Sequence, residues 1–295
     1  MVENKILVSS FKKDLDFIAN RIGTTELRQS SEEESAVALG LKASIEALKL
    51  AGMVGKDIQL VIFVTQNPDH GGLPHNSALI QAELSIPSSA VCFDIGLGCS
   101  GFVYAVSVAV SMMKTLNLIN SIIITSDQYR AHLDPKDEAT QMLFGDAACA
   151  TVLSAVSGTF EAKACRLGTD GSLSPALIRK NNAIRMNGRA VFNFCRKKIP
   201  IEIQAFLYDC GIHYKNIDAL ILHQGSKAIV NEIQNALGLD DDKVPIGLQG
   251  IGNTVSSSIP MLLKDHLDKE KVSCIVACGF GVGLSWGTLW LQRKI

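Results

Sequence analysis

The chain has 295 residues, of which 47% are apolar, and its formal net charge is −1. This length allows one large domain or two fused halves, and this composition allows a well-buried core. A charge so close to zero predicts no general affinity for nucleic acid or for an anionic membrane. No segment reaches the roughly 18–20 apolar residues of a membrane span, and the first residues lack the layout of a signal peptide. We therefore expect a cytoplasmic protein.

The eight cysteines occur without a CxxC pair and without a Cys/His spacing typical of a metal site. In a chain of this size and composition, the pattern argues against a disulfide framework and against a zinc or other metal site. Seven of them are interpreted as small buried apolar residues, namely Cys92, Cys149, Cys165, Cys195, Cys210, Cys274 and Cys278. Cys99 is the exception.

Short β-rich runs alternate with longer helical patterns along the chain. After a strand over 5–10, Ser31 and Glu34 form a capping box that opens a helix, which ends at Gly52. The apolar residues of this helix recur at helical spacing, at Val37, Leu41, Ile45 and Leu48.

Continuous apolar runs follow, and these are typical of strands buried on both faces. They cover 58–65, 121–125, 219–223 and 273–278. Helical patterns lie between them, near 77–84, over 99–114, near 197–210 and over 226–237. The alternation predicts an α/β domain with largely parallel central sheets.

The two halves of the chain resemble each other. Three pairs of segments match in the same order: 51–65 with 210–224, the turn at Cys99 with the turn at Asn253, and 144–153 with 280–289. One match could arise by chance, but three in order favour a duplication. We predict an N-terminal half over 1–158 and a C-terminal half over 159–295, with an insertion near 126–143 that covers the substrate.

Cys99 lies in the segment DIGLGCSGF (94–102), where a Gly-x-Gly loop follows a strand-like run and a helix begins. The free N–H groups and the dipole of a helix N-terminus stabilise a thiolate, so we predict a lowered pKa for Cys99. A thiolate in this position is a good covalent nucleophile. The alternative is an ordinary packing cysteine at a tight turn.

Three further segments carry candidate polar groups. His223 ends a buried strand, where sites assemble in open α/β sheets, although a lone His there is also a common hydrogen-bonded core residue. Asn253 is either a turn residue before a helix cap or an amide donor aimed into a pocket, and the duplication favours the amide donor. The strand end at 280–283 is either a simple β-turn or a source of N–H donors for an oxyanion.

Five motifs occur in a distinctive order: CSGFVYA at 99–105, FGDAACA at 144–150, HQGSKAI at 223–229, GNTVSSSIP at 252–260 and GFGVGLSWG at 279–287. With this order and spacing, from about residue 17 to the end, the chain resembles β-ketoacyl-acyl-carrier-protein synthase III and its relatives in the thiolase superfamily. The resemblance implies a duplicated five-layer αβαβα fold, a homodimer, and a catalytic triad of Cys99, His223 and Asn253.

The resemblance also implies roles for residues around the triad. The backbone N–H groups of Cys99 and Val282 would hold the oxyanion, and the substrate would contact Phe17, Arg21, Ser226, Phe280 and Gly281. The substrates would be acyl and malonyl thioesters, carried by acyl carrier protein or by coenzyme A. No metal or redox cofactor would be required.

The chain departs from this family where the substrate would enter. Phe17 and Glu138 stand where family members commonly hold the adenine of coenzyme A between a Trp and an Arg, and Glu138 would repel phosphate. Ser226 and Ala228 stand where the family has Asn and often Arg. These departures favour a carrier-bound primer over a coenzyme A primer, and a specialised pathway over primary fatty-acid initiation.

Three functions are compatible with these residues. The first is decarboxylative condensation, in which an acyl group on Cys99 reacts with a malonyl-derived enolate stabilised by His223 and Asn253. The second is acyl transfer from Cys99 to an alcohol or amine, and the third is a non-catalytic partner subunit. Relatives that only transfer acyl groups tend to replace the Asn, so we predict condensation.

Overall fold

A computed structural model of the chain describes residues 2–3, 14–31, 33–181 and 183–294. The strand predicted over 5–10 lies outside these residues. Within them, the strands are Val2–Glu3 (β1), Glu26–Leu27 (β2), Leu60–Val64 (β3), Val91–Ile95 (β4), Asn120–Asp127 (β5), Ala147–Ser154 (β6), Phe160–Thr169 (β7), Leu177–Lys180 (β8), Ala183–Met186 (β9), Ala219–Leu222 (β10), Cys274–Gly281 (β11) and Ser285–Arg293 (β12).

The α-helices of the same ranges are Leu15–Phe17 (α1), Ala36–Ala51 (α2), Asn76–Glu83 (α3), Gly101–Leu116 (α4), Glu138–Gln141 (α5), Gly188–Asp209 (α6), Lys227–Leu237 (α7) and Ser258–Leu267 (α8). A π-helical turn, Ile18–Ile22, continues α1. No helix in the described part of the chain is long and apolar enough to cross a membrane.

The helix predicted to open at Ser31 begins instead at Ala36. Ser35 is its N-cap, because its hydroxyl accepts a hydrogen bond from the backbone of the first turn. Ser31 N does donate to the Glu34 carboxylate at 3.0 Å, but this contact closes a turn before the helix. The predicted end at Gly52 is confirmed, with the left-handed backbone that favours glycine there.

Other sequence predictions need correction. Ile45 is 50% exposed, so the apolar face of α2 is narrower than predicted. The helix predicted near 197–210 begins earlier, at Gly188.

The cysteines interpreted as buried packing residues differ in their exposure. Cys165 is exposed, because alternate residues of β7 face outward, and three cysteines are only half-buried, namely Cys92, Cys149 and Cys210. The remaining packing cysteines are buried as predicted: Cys195, Cys274 and Cys278.

Two four-stranded sheets have related connectivity. In the first, with the order β4-β3-β5-β6, strands β3 and β5 are parallel and β6 is antiparallel to β5. In the second, with the order β10-β11-β12-β7, strands β10 and β11 are parallel and β12 is antiparallel to β11. The change of sheet falls between Ser154 and Phe160, beside the predicted division into 1–158 and 159–295, which stays a prediction.

The sheets and helices stack in five layers. Helices α2 and α3 cover the outer face of the first sheet, α4 and α8 lie between the two sheets, and α6 and α7 cover the second sheet. Side chains of each buried strand alternate between two layers: in β3, Leu60 and Ile62 face the middle helices, whereas Val61 and Phe63 face the outer ones. This explains the continuous apolar runs, since both faces of each sheet are covered.

The segment predicted as an insertion, 126–143, packs beside the second half of the chain. It contains a 3₁₀ turn at Tyr129–His132 and the short helix α5. Leu133 forms a bridge with Ile184 of β9, and Arg185 forms an ion pair with Asp134 at 2.6 Å. Leu143, at the end of this segment, lines the central cavity described next.

Candidate active site

A cavity of about 290 Å³ lies where the second sheet, α6, α7 and the start of α4 meet. Its wall is mainly apolar, and the three predicted triad residues all line it. The lining residues are Phe17, Arg21, Ile22, Cys99, Leu143, Phe144, Leu177, Met186, Gly188, Val191, Phe192, Cys195, His223, Gly225, Ser226, Ala228, Ile229, Asn253, Phe280 and Gly281. The structure therefore brings together side chains that are far apart in sequence.

Cys99 ends the loop between β4 and α4 and is 4% exposed. Burial raises the pKa of its thiol to about 12, and the Asp127 carboxylate acts in the same direction. The prediction of a lowered pKa is therefore wrong for the free thiol, because desolvation outweighs the donors around the sulfur.

Two backbone N–H groups point at the sulfur of Cys99, its own and that of Val282, and they favour the thiolate. The strand end at Gly281 approaches so closely that a Cβ there would lie 2.7 Å from Cys99 Cβ and 2.8 Å from Sγ. The hydroxyls of Ser100 and Ser285 hydrogen-bond at 2.7 Å and tie the two segments together. Both N–H groups can donate a hydrogen bond to a negative charge at this position.

His223 directly follows β10, and its backbone N–H donates to Cys278 O of β11 at 2.8 Å. Its Nδ1 lies 2.7 Å from Ser258 Oγ, and this hydroxyl donates to Val255 O at 3.0 Å. The arrangement favours the tautomer with a proton on Nδ1 and a free lone pair on Nε2. Burial lowers the pKa of His223 to about 3, so the ring is neutral at physiological pH.

Asn253 is fixed by its backbone and by its side-chain oxygen. Its N–H donates to Leu143 O, and its own carbonyl accepts from Gly145 N, both at 2.9 Å. Asn253 Oδ1 accepts from Val255 N at 2.9 Å, and Nδ2 donates to Gly225 O at 3.4 Å. Because an amide nitrogen carries two protons, one remains for a group in the cavity.

The sequence matches two models of one family: 3-oxoacyl-[acyl-carrier-protein] synthase III over residues 93–171, and 3-oxoacyl-[acyl-carrier-protein] synthase III C terminal over residues 207–293. A curated β-ketoacyl-[acyl-carrier-protein] synthase III of Clostridium perfringens is 32% identical over 99% of this chain and 95% of the relative. The chain belongs to the 3-oxoacyl-[acyl-carrier-protein] synthase III family. The thiolase-like five-layer fold predicted from the motifs is thus confirmed.

Other relatives agree with this membership. The synthase III 1 of Halalkalibacterium halodurans is 31% identical over 98% of this chain and 95% of its own. The solved 3-oxoacyl-[acyl-carrier-protein] synthase III of Aquifex aeolicus superposes with a TM-score of 0.92 at 29% identity, covering 99% of this chain and 95% of that one. A 3-oxoacyl-(acyl-carrier protein) synthase of Burkholderia xenovorans superposes with a TM-score of 0.91 at 30% identity, covering 99% of this chain and 90% of that one.

The residues predicted to contact substrate in this family member also line the cavity: Phe17, Arg21, Ser226, Phe280 and Gly281. Ser226 has a structural task as well, since its hydroxyl caps α7 by accepting from Ile229 N at 3.3 Å. Phe280 packs edge-on against the His223 ring, with the ring centroids 5.5 Å apart. Glu138, expected from the family pattern near the substrate mouth, is not among the lining residues.

Sequence reasoning missed one part of the site, Ser258, the partner of the His223 ring, which was seen only as one of several small hydroxyl residues after Asn253. It did expect the 183–195 stretch to shape the pocket, and Met186, Val191 and Phe192 of that stretch line the cavity. Leu73, His75 and Met142, expected to shape it as well, are not among the lining residues.

Proposed function

We propose that the protein is an acyltransferase that catalyses a decarboxylative Claisen condensation between an acyl group on Cys99 and a malonyl thioester. The observation that supports this most strongly is the shared cavity. One mainly apolar space is lined by a buried thiol with two N–H donors, by a neutral imidazole and by an amide with a spare proton.

Acylation comes first. The thiol of Cys99 attacks the carbonyl carbon of an acyl thioester, and its proton passes to the lone pair of His223 Nε2 and then to the departing thiolate. The negative oxygen of the tetrahedral intermediate is stabilised by the N–H groups of Cys99 and Val282. The tautomer with a proton on Nδ1 leaves the Nε2 lone pair free to accept this proton.

Condensation follows on the same side chains. The malonyl thioester loses carbon dioxide, and the enolate oxygen accepts hydrogen bonds from Asn253 Nδ2 and from His223 Nε2. Since Nε2 must now carry a proton, the ring exchanges tautomers through water between the two steps: water takes the proton from Nδ1 and supplies one to Nε2, and the Ser258 hydroxyl rotates from Val255 O to Nδ1. The enolate carbon then displaces the Cys99 thiolate from the acyl carbon, which forms the new bond without a metal or redox cofactor.

Acyl transfer to an alcohol or amine is the alternative. It would need a base for the acceptor but no enolate donor, and the spare Asn253 proton would then have no task. The carbonyl and Oδ1 contacts of Asn253 hold its amide group at the cavity, which supports the condensing reaction.

The test follows intact mass after incubation with acyl-coenzyme A and acyl-carrier-protein donors, each alone and then with malonyl-carrier protein. We expect an adduct that requires Cys99 and a β-ketoacyl product that is lost in Asn253→Ala but kept in Asn235→Ala, a change on the exposed side of α7. An adduct in Asn253→Ala without product would separate the two steps. An adduct that decays only with an alcohol or amine would establish acyl transfer instead.

We also propose that acyl carrier protein rather than coenzyme A brings the primer. Arg21 is the one cation among the described residues that line the cavity, since Ala228 and Ser226 carry no charge. The phosphate groups of a coenzyme A nucleotide would therefore have one positively charged partner there. The measurement is the ratio of kcat/KM for the same acyl group on the two carriers. A preference for the coenzyme A thioester would contradict this proposal while leaving condensation intact.

A homodimer is proposed through the edge of the first sheet. Of the described strands, only β3 pairs with β4, and all five β4 residues are half-buried in one copy. An edge with apolar side chains such as Phe93 is a template for a second copy. Light scattering should give twice the chain mass, and Phe93→Glu should give the mass of one chain. A wild-type protein with the mass of one chain would refute the dimer.

A further inference from the structure

Val255, two residues after Asn253, has an unusual backbone conformation. Its φ is +54°, in the left-handed region that favours glycine, although Val255 is β-branched and fully buried. An L-residue populates this region about 10-fold less than the ordinary right-handed region, because its Cβ crowds the following carbonyl oxygen. Such a conformation persists only where the surrounding contacts hold it.

Both backbone polar groups of Val255 support predicted triad residues. Its N–H donates to Asn253 Oδ1 at 2.9 Å. Its carbonyl oxygen accepts from Ser258 Oγ at 3.0 Å, and this hydroxyl lies 2.7 Å from His223 Nδ1. Because a change of φ rotates the N–H of a residue relative to its carbonyl group, both bonds form together only in the observed conformation.

The contact that holds this conformation belongs to the next residue. Ser256 is fully buried, and its hydroxyl donates to Asp127 Oδ2 at 2.9 Å. The other oxygen of this carboxylate accepts from Gln66 N at 2.9 Å and from Thr65 Oγ1 at 3.1 Å, just after β3. Asp127 is thereby fixed to the first sheet, and hydrogen bonds to a carboxylate are among the stronger ones in proteins.

The two hydroxyls that follow Ser256 have different partners. Ser257 Oγ donates to Thr125 O at 3.1 Å, which fixes the start of α8 on β5. Ser258 Oγ contacts the His223 ring. The hydroxyl of Ser256 is therefore the one that fixes the chain between Val255 and the helix.

We propose that Ser256 is a positioning residue for condensation, because its hydrogen bond to Asp127 holds Val255 in the left-handed conformation that fixes Asn253. The inference rests on the proposed function, since it explains how the enolate donor of that site is held. Without the Ser256 hydroxyl, Val255 relaxes to an ordinary φ and withdraws its N–H from Asn253 Oδ1. The amide then rotates, and its nitrogen loses its aim at the enolate.

The test is the condensation rate in a single turnover, with the acyl group already on Cys99 and with saturating malonyl-carrier protein. Ser256→Ala should lower this rate about 10-fold, which is the preference of an L-residue for the relaxed backbone. The concentration of malonyl-carrier protein that gives half the maximal rate should stay unchanged, because Ser256 does not line the cavity. Ser44→Ala, which removes a buried hydroxyl bonded to Gly40 O at 2.7 Å in α2, should change neither value.

A rescue variant separates positioning from a general structural role. Glycine adopts the left-handed conformation without the penalty of an L-residue. Adding Val255→Gly to Ser256→Ala should therefore restore most of the lost rate, whereas adding Val255→Ala should not. A packing role predicts the reverse order, because glycine leaves the larger cavity. A glycine double variant that is no faster than the alanine one would overturn the proposal.

Crystal structures of the variants test the backbone without any reaction. We expect a negative φ at Val255 in Ser256→Ala and a positive φ in the double variant with Val255→Gly. If Ser256→Ala does not fold, Ser256→Cys, which keeps the size of the side chain but donates weakly, takes its place with the same expectations. A φ that stays near +54° without the hydroxyl would refute the proposal, even if condensation proceeds. If no thioester acylates wild-type Cys99, the proposed function fails, and these structures still decide whether Ser256 holds Val255.

Discussion

Gly281 is the position where one methyl group should impair the nucleophile. A Cβ there would lie 2.7 Å from Cys99 Cβ and 2.8 Å from Sγ, whereas carbon atoms pack favourably at about 3.5–4.0 Å. Gly281→Ala therefore requires a shift of roughly 1 Å between the strand end and the start of α4. Overpacking of this kind destabilises a fold by about 1–3 kcal/mol, and a 1 Å misplacement of a reacting group can lower the rate about 100-fold.

The assay compares the rate of Cys99 acylation, followed by intact mass, with the midpoint of thermal unfolding. Gly281→Ala should lower both, and the loss of rate should exceed what the unfolded fraction explains, because Val282 N–H moves away from the sulfur. Gly171→Ala is the matched control, since a Cβ at Gly171 meets no atom within 4 Å. Wild-type acylation and wild-type melting in Gly281→Ala would refute the close approach described here.

Three further results are expected. Ser258→Ala should lower the condensation rate about 5-fold, because the condensing tautomer loses a hydrogen bond of about 1 kcal/mol from the Ser258 hydroxyl to Nδ1; an unchanged condensation rate would contradict the tautomer exchange. Burial lowers the pKa of His223 from 6.5 to about 3, so its neutral ring should contribute fully to the free energy of unfolding above pH 6.5 and lose this contribution as the pH falls toward 3. Urea unfolding of the wild type and of His223→Gln at several pH values measures the difference. Asp127 acts in the opposite sense, because burial raises its pKa from 3.8 to about 6. Its contribution to the free energy of unfolding is full below pH 3.8 and is lost as the pH rises through 6. The free energy of unfolding of Asp127→Asn should therefore gain roughly 3 kcal/mol relative to wild type between pH 3.8 and pH 8. A constant difference across that range would contradict a buried carboxylate.

The strands and the helix that begins after Cys99 could be predicted because their signals are local. A strand covered on both faces needs an unbroken apolar run, and the runs at 58–65 and 219–223 contain β3 and β10. The Gly-x-Gly loop before Cys99 marked a turn into a helix, and α4 begins at Gly101. The duplicated order of these segments placed the turns of Cys99 and Asn253 at one site, and both line the same cavity.

The pKa of Cys99 could not be predicted from the same signals. The helix start suggested a stabilised thiolate, but the sequence does not report how deeply a side chain is buried. In the folded chain, desolvation raises the pKa of this thiol and lowers the pKa of His223 beside the same cavity. The helix start of α2 was misplaced for a related reason, since Ser31 and Ser35 both have the chemistry of a cap and only one lies at the helix end.

The sequence by itself determined the alternation of strands and helices, the family motifs and the residue types of the predicted triad, because each depends on neighbours a few positions apart. Only the tertiary structure decided which groups lie around these residues: Gly281 at the Cys99 sulfur and Ser258 beside the His223 ring. These contacts join segments that are far apart in sequence and that meet only when the five layers stack. The distances between these groups depend on how all five layers pack, and a local sequence pattern does not contain that information.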